Sequence, residues 1–393
     1  MIKTLIFLIG TPFNERDYHR FGIKDLQQLG FSVCVWELTT ALGRSYAAPP
    51  DGFSSNCHQV YFSKHELCLA INKLEEGVLI ISCVHYSYKS YFLYRAISRA
   101  KIPYCVLNLG AVPSSHASKF SFMASIVKNI TFNKIINKFF LTIPYGLMGV
   151  NSASYAVFGS RISKSIIPMK GVDTKLIPAH CFDYDVYLKN ELCKDNIDFS
   201  LKGGIIFLDE YAPFHPDYQF LNIKPDADAE TYYPELCRYF DYLEQVTGLN
   251  VIVAAHPRSH YDSQVNYFGN RKVLRGKTAE LVSSCRLILL HASTSVNFAV
   301  IYKKPVLFLK PSSFSGGRSE KAIMHMAKAL NSSSIVDFSK KYESKESFNF
   351  PILDELAYAR YKNNYIKSED SAEMPLWKIF ADHIKSEHYQ NEL

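Results

Sequence analysis

Hydrophobic positions along the chain fall into short continuous runs, and these runs alternate with stretches of helical period. Thr4–Ile9, Phe31–Trp36, Val78–Val84, Tyr104–Leu107 and Tyr155–Phe158 are apolar blocks, the pattern of strands covered on both faces. Between them, Gly22–Leu29, Glu66–Leu74, Tyr91–Ala100 and the span 117–150 predict helices. The second half repeats the alternation. Gly204–Leu208, Val251–Ala255, a short Lys272–Leu274, Leu287–Leu290 and Val306–Leu309 predict strands, with helices over 232–247, 278–284 and 295–302. Strands that alternate with helices build parallel sheets. The predicted fold class is therefore α/β, with two Rossmann-like domains, 1–180 and 200–365, whose parallel sheets face a central cleft. A less regular polar stretch over 178–202 joins them, and an amphipathic helix within 372–388 follows.

Length agrees with two domains, since 393 residues exceed what one hydrophobic core of ordinary size organises. The hydrophobic and charged fractions, 48% and 21%, are those of a soluble globular protein. A formal net charge of +7 favours an anionic substrate or a membrane surface. It is unaccompanied by basic runs interleaved with aromatics, so nucleic acid is not an expected partner. The nine cysteines are scattered and contain no C-x-x-C, which argues against a zinc site or disulfide framework and for a cytoplasmic compartment. Met1–Ile9 imitates an export signal but is short and lacks a small-residue cleavage site, so a first strand is the better reading. The most apolar window, 139–150, falls short of the ~20 residues a span needs. With Lys128, Lys134 and Lys138 on its flank, it suits either a helix lying peripherally on the inner membrane or a helix pair lining a domain.

The chemistry concentrates at strand ends of the second half, where parallel sheets place ligand-binding loops. Val251–Ala255 runs into His256-Pro257-Arg258, and the proline stops the strand and stiffens the turn. An imidazole held there can donate to a phosphate oxygen, although His215-Pro216 shows that the dipeptide recurs. Leu287–Leu290 opens into His291-Ala292-Ser293-Thr294-Ser295. Three hydroxyls at a helix start suit an anion, while simple capping needs only one. His291 can join that pocket or merely cap the strand. Asp209-Glu210 follows Gly204–Leu208, and one of the two carboxylates can act as general base, Asp209 being the expected one. Arg258, Lys310 and Arg318 are candidate partners for phosphate or carboxylate, Arg318 following a Ser315-Gly316-Gly317 loop. In the first half, Gly10-Thr11, the loop 14–20, His19, Arg20 and His85 lie where an acceptor would enter.

The order of an acidic pair, His-Pro, and Ser-Thr-Ser at a helix start resembles the bacterial GT-B glycosyltransferases that use CMP-activated sugars, the sialyltransferase and Kdo-transferase type. The resemblance covers mostly residues 204–309. It implies a GT-B-like fold, with the first domain on the acceptor side and the second binding the nucleotide-sugar donor. It implies that Asp209 or Glu210 is the base, that His256 contacts the CMP phosphate, and that Ser293 and Ser295 are further donor contacts. Pro257, Arg258, His291, Thr294 and Arg318 complete the expected donor side. The implied reaction is metal-independent, cofactor-free and inverting. It moves an acidic sugar of the sialic, pseudaminic, legionaminic or Kdo class onto a surface glycan or lipid-linked glycan. The family's D/E-D/E-G motif departs here, since Tyr211 stands where the glycine would be. Two alternatives stay open: a nucleotide-diphosphate-sugar or CDP-glycerol transferase on the same fold, and a non-catalytic scaffold in glycan assembly.

Overall fold

A computed structural model of the chain describes residues 1–44, 53–113, 132–192, 203–216, 218, 223–261, 265–343 and 348–391. Two compact units emerge. Among the described residues, one holds Met1–Ala111, the chain from Phe132 to Phe182, and the chain again from Lys367; the other holds Asp183–Ile366 together with Val112 and Pro113.

The first unit is built on a seven-stranded parallel sheet. Its strands are β1 (Thr4–Ile9), β2 (Ser32–Glu37), β3 (His58–Val60), β4 (Val78–Ser82), β5 (Tyr104–Asn108), β6 (Tyr155–Phe158) and β7 (Lys175–Pro178), in the order β3-β2-β1-β4-β5-β6-β7. Successive side chains of a strand point to opposite faces. Accordingly Leu5, Phe7 and Ile9 enter one hydrophobic layer, while Ile6 and Leu8 enter the other. This is why β1 reads as an uninterrupted apolar run. The C-terminal helix Leu376–Asn391 completes the first layer with Leu376, Trp377, Phe380 and Ile384. Trp377 meets Phe7 edge-on at 5.1 Å and donates its indole N–H to Arg20 O at 2.8 Å. Gly22 beneath it has φ +55 and no room for a Cβ, so glycine is needed there on both counts.

The second unit holds β8 (Ile205–Leu208), β9 (Val251–Ala255), β10 (Val273–Arg275), β11 (Leu287–Leu290), β12 (Val306–Leu309) and β13 (Ile335–Val336), in the order β10-β9-β8-β11-β12-β13. Counted within the unit, that order is the doubly wound 3-2-1-4-5-6. Its direction of winding reverses between β8 and β11, and ligands of such sheets bind at the carboxyl ends of the strands flanking that reversal.

Several elements differ from the sequence pattern. Of the span 117–150, the part up to residue 131 lies outside the described residues; the rest forms helix Phe132–Phe140 and a single 3-10 turn, Tyr145–Met148. The polar stretch 178–202 contains helix Phe182–Leu192. Its aromatic–acidic alternation imitates a strand, yet Asp183 and Asp185 sit in the first helical turn, where carboxylates are favoured by the helix dipole. Asp183 also accepts from Asn297 Nδ2 at 2.7 Å. Helices Arg318–Ala329 and Glu355–Tyr361 were not anticipated.

Candidate active site

Strand register brings the candidate residues of the second unit together. Leu208 pairs with Ala254, and Phe207 pairs with Leu289. One step beyond the strands, Asp209-Glu210 therefore sits between the loop that starts at His256 and the loop that starts at His291. This is the reversal point of the sheet.

The two carboxylates have different surroundings. Asp209 is buried, at 4% exposure. Its Oδ2 accepts from the His256 backbone N–H at 3.1 Å and the Tyr261 hydroxyl at 2.7 Å, and its Oδ1 accepts from the Tyr211 N–H at 2.8 Å. Burial raises its pKa despite these three bonds. Glu210 is half-buried and lines a cavity. Its Oε1 accepts from the N–H groups of His291 at 3.1 Å and Ala292 at 2.6 Å. Burial, reinforced by the neighbouring Asp209 charge, pushes its pKa up to about 7 against those lowering bonds. Asp209, the expected base, is thus occupied as a brace, while Glu210 faces the cavity.

Tyr211 accounts for the departure at the third motif position. Its φ is +54, a left-handed conformation that costs a side chain about 1 kcal/mol or more and glycine almost nothing. Ring contacts with Phe214 at 5.4 Å and Tyr261 at 5.2 Å offset that cost here.

The cavity, of about 220 Å³, is lined by Glu210, His215, His256, Ser293, Thr294 and Ser319 among others. That volume is below the ~300–1,000 Å³ of pockets that enclose a whole ligand and suits the phosphate portion of one. His256 Nδ1 accepts from the Arg258 N–H at 3.2 Å, which leaves Nε2 as the ring's donor. The His215 ring lies 4.9 Å from it, and the Arg258 guanidinium donates to His215 Nε2 at 3.3 Å. A larger cavity, of about 660 Å³, lies in the first unit at one end of its sheet, around Met1, Val78, Pro103 and Ser154. Those are the amino ends of the strands, away from where this architecture places ligands.

Some expected contacts are corrected. His291 is buried, with Nδ1 donating to Leu309 O and Nε2 accepting from the Tyr232 hydroxyl, both at 2.6 Å. It is a core histidine, not a donor contact, and burial lowers its pKa to about 4. The N–H groups expected to hold an anion are also engaged: those of residues 291 and 292 by Glu210, and those of Val296, Asn297 and Phe298 by the carbonyls of residues 293–295. The side-chain hydroxyls of Ser293 and Thr294 remain at the cavity wall, while Ser295 donates its N–H to Ser293 Oγ at 3.2 Å. Pro257 and Arg258 are exposed. Arg318 lies 4.0 Å from Asp226, and Lys310 pairs with Glu320 at 2.6 Å. The next residue, Ser319, reaches the cavity instead and donates to Asp226 Oδ2 at 2.6 Å. In the first unit, Arg20 stacks on Phe182 at 4.0 Å, and His19 and His85 are exposed.

His215, Tyr218, Phe314 and Ser319 are cavity residues that sequence reasoning passed over. His215 and Tyr218 belong to the same strand-end loop as Glu210. Ser319 follows two glycines at the start of a helix whose Ile323, Met326, Ala327 and Leu330 repeat at helical spacing. That spacing was the available signal.

The core role of His291 has a measurable consequence. The unfolded imidazole binds a proton near pH 6.5 and the folded one near 4, so stability falls as pH drops through that window, by up to about 3 kcal/mol. His291→Gln should flatten that slope and cost about 1–3 kcal/mol at neutral pH by disturbing two buried bonds. Urea unfolding across the window measures both; a slope unchanged by the substitution would refute the assignment.

No family model matches the chain, and no curated protein does. Solved structures do. The wall teichoic acid polymerase TagF superposes with a TM-score of 0.51 at 10% identity, covering 99% of this chain and 90% of that one. The UDP-GlcNAc 2-epimerase of Methanocaldococcus jannaschii gives 0.49 at 11% identity, covering 97% and 99%. MnaA of S. aureus, solved with UDP, gives 0.48 at 13% identity, covering 100% and 98%. At such identities the likeness is one of fold. The chain has a GT-B-like α/β fold with two parallel-sheet, Rossmann-like domains.

Proposed function

We propose that the protein is a GT-B-type transferase that takes its donor as a nucleotide-activated compound and delivers the transferred group to a glycan hydroxyl of a cell-surface polymer. The observation that carries this reading is Glu210: a half-buried carboxylate with a pKa of about 7, at the sheet's reversal point, on the wall of a cavity shared with His256. Glu210 takes the acceptor's proton as the acceptor oxygen attacks. For a sugar donor, the bond from its anomeric carbon to the phosphate oxygen breaks, and His256 Nε2 donates to the departing phosphate.

Within this reading the favoured donor is a nucleoside diphosphate compound. Two sets of polar groups flank the cavity: the imidazoles of His215 and His256 on the β8 and β9 loops, and the hydroxyls of Ser293, Thr294 and Ser319. Two sets suit two phosphates. The CMP-linked acidic sugar implied by the motif order, with its single phosphate, would leave one set unused.

Calorimetric titration of CMP, CDP and UDP against the wild type and His256→Ala tests this. A nucleoside diphosphate should bind more tightly than CMP, and its affinity should fall roughly tenfold to a hundredfold in the variant. Tighter binding of CMP would restore the monophosphate donor. If none of the three bound, the scaffold reading would replace the enzyme.

A further inference from the structure

The positive charge of this chain is concentrated. Residues 77–172 contain eleven Lys and Arg and no Asp or Glu, whereas the remaining residues hold 33 basic and 37 acidic groups. The segment's formal +11 therefore outweighs a −4 elsewhere and accounts for the whole excess of +7.

Within that segment, helix Phe132–Phe140 and the turn Tyr145–Met148 are fixed to the first unit along one side. Phe140 packs on Tyr86 and Tyr91, with ring centroids at 5.3 and 5.7 Å. Asn137 Oδ1 accepts from the Tyr88 N–H at 3.1 Å. Met148 O accepts from the Tyr91 hydroxyl at 2.9 Å and from Arg95 Nη1 at 2.6 Å. The outer side is apolar and open to solvent: Phe139 is 70% exposed, Leu141 51% and Leu147 83%. Lys138 stands beside Phe139. Lys170 is brought to the turn by the Tyr145 hydroxyl, which donates to Lys170 O at 3.0 Å; both lysines are exposed. Exposed large apolar side chains grouped on a rigidly held element mark an interaction surface.

We propose that this element docks the protein on an anionic lipid surface, with Phe139, Leu141 and Leu147 entering the interfacial layer and Lys138 and Lys170 meeting headgroup phosphates. Apolar insertion combined with basic attraction is the chemistry of interfacial membrane binding. A second copy of the chain is the poorer occupant, because a symmetric contact would set the basic, acid-free segment 77–172 against itself. The inference is independent of the donor reading.

Flotation of the full-length protein with phosphatidylcholine vesicles, with and without phosphatidylglycerol, tests it. The wild type should partition onto the phosphatidylglycerol vesicles, and less so at high salt. F139E combined with L147E should lower the partition coefficient about tenfold or more. K138E combined with K170E should lower it with the apolar side chains intact. Circular dichroism and thermal melting confirm that these surface variants fold. Failure of the wild type to partition, or partition indifferent to both pairs of substitutions, would overturn the proposal. A dimer that the F139E/L147E pair dissolves, without vesicle binding, would overturn it in favour of self-association.

Discussion

Replacing Glu210 by glutamine should lower kcat by about 10²–10⁴-fold, the usual worth of a general base, and should also make the protein more stable above neutral pH. Both effects have one cause. The fold holds this carboxyl at a pKa of about 7, against an ordinary 4.5, because burial and the adjacent Asp209 oppose its charge. A base poised there is half ionised near neutrality, so kcat/KM should rise with pH through about 7 and then level off. The stability consequence has the opposite sign. A group whose folded pKa is raised contributes fully below its unfolded pKa, and that contribution is lost as pH rises through the folded one. Above pH 7 the ionised glutamate therefore costs about 1–3 kcal/mol that glutamine would not. Between pH 4 and 7 Glu210 and His291 act in opposite directions, since stability gained by His291 as pH rises is lost by Glu210. Removing the glutamate should then steepen the rise of stability with pH. Steady-state rates and thermal melts over the same pH series decide the matter. An unchanged kcat, or a variant less stable than wild type above pH 7, would refute the assignment.

The sheets were legible because both-face burial leaves continuous apolar runs, and β1, β4, β9 and β11 show this directly. Of the edge strands only β10 was, as the short run Lys272–Leu274. β3, β7 and β13 have mixed burial and only two to four residues each, so neither period nor apolarity marks them. The helix Phe182–Leu192 was hidden by alternation of two for a few residues. For the site, the strand-end rule located the loops that line the cavity, since the order of chain segments and the position of the sheet's reversal follow from the same alternation. Sequence could not decide which way each side chain faces. Asp209 and Glu210 are neighbours with opposite fates, and register with β9 and β11 settles which is braced and which is presented. His291 failed as a ligand contact for a similar reason: its partners, Tyr232 and Leu309 O, come from 59 and 18 residues away.

Asp209→Ala should be the most destabilising change in the site, costing roughly 3–5 kcal/mol, because it strands the His256 N–H, the Tyr211 N–H and the Tyr261 hydroxyl in a buried place. Asp209→Asn should cost less, about 1–3 kcal/mol. Its amide oxygen still accepts on one side, while its NH₂ faces a donor on the other. The brace spans the loops after β8 and β9, so its loss also frees His256 and lets Tyr211 leave its left-handed conformation. Activity should fall with stability in both variants, and the pH–rate limb near 7 should persist in whatever activity Asp209→Asn retains, since Glu210 is still present. Were Asp209 itself the base, the pattern would invert: Asp209→Asn would keep the fold and lose the reaction, and Glu210→Gln would retain it. Chemical denaturation paired with rate measurements on the two amide variants separates these cases. The two carboxylates are adjacent in sequence, and what distinguishes them is that Asp209 is buried and accepts through both oxygens, whereas Glu210 is held through Oε1 and lines the cavity.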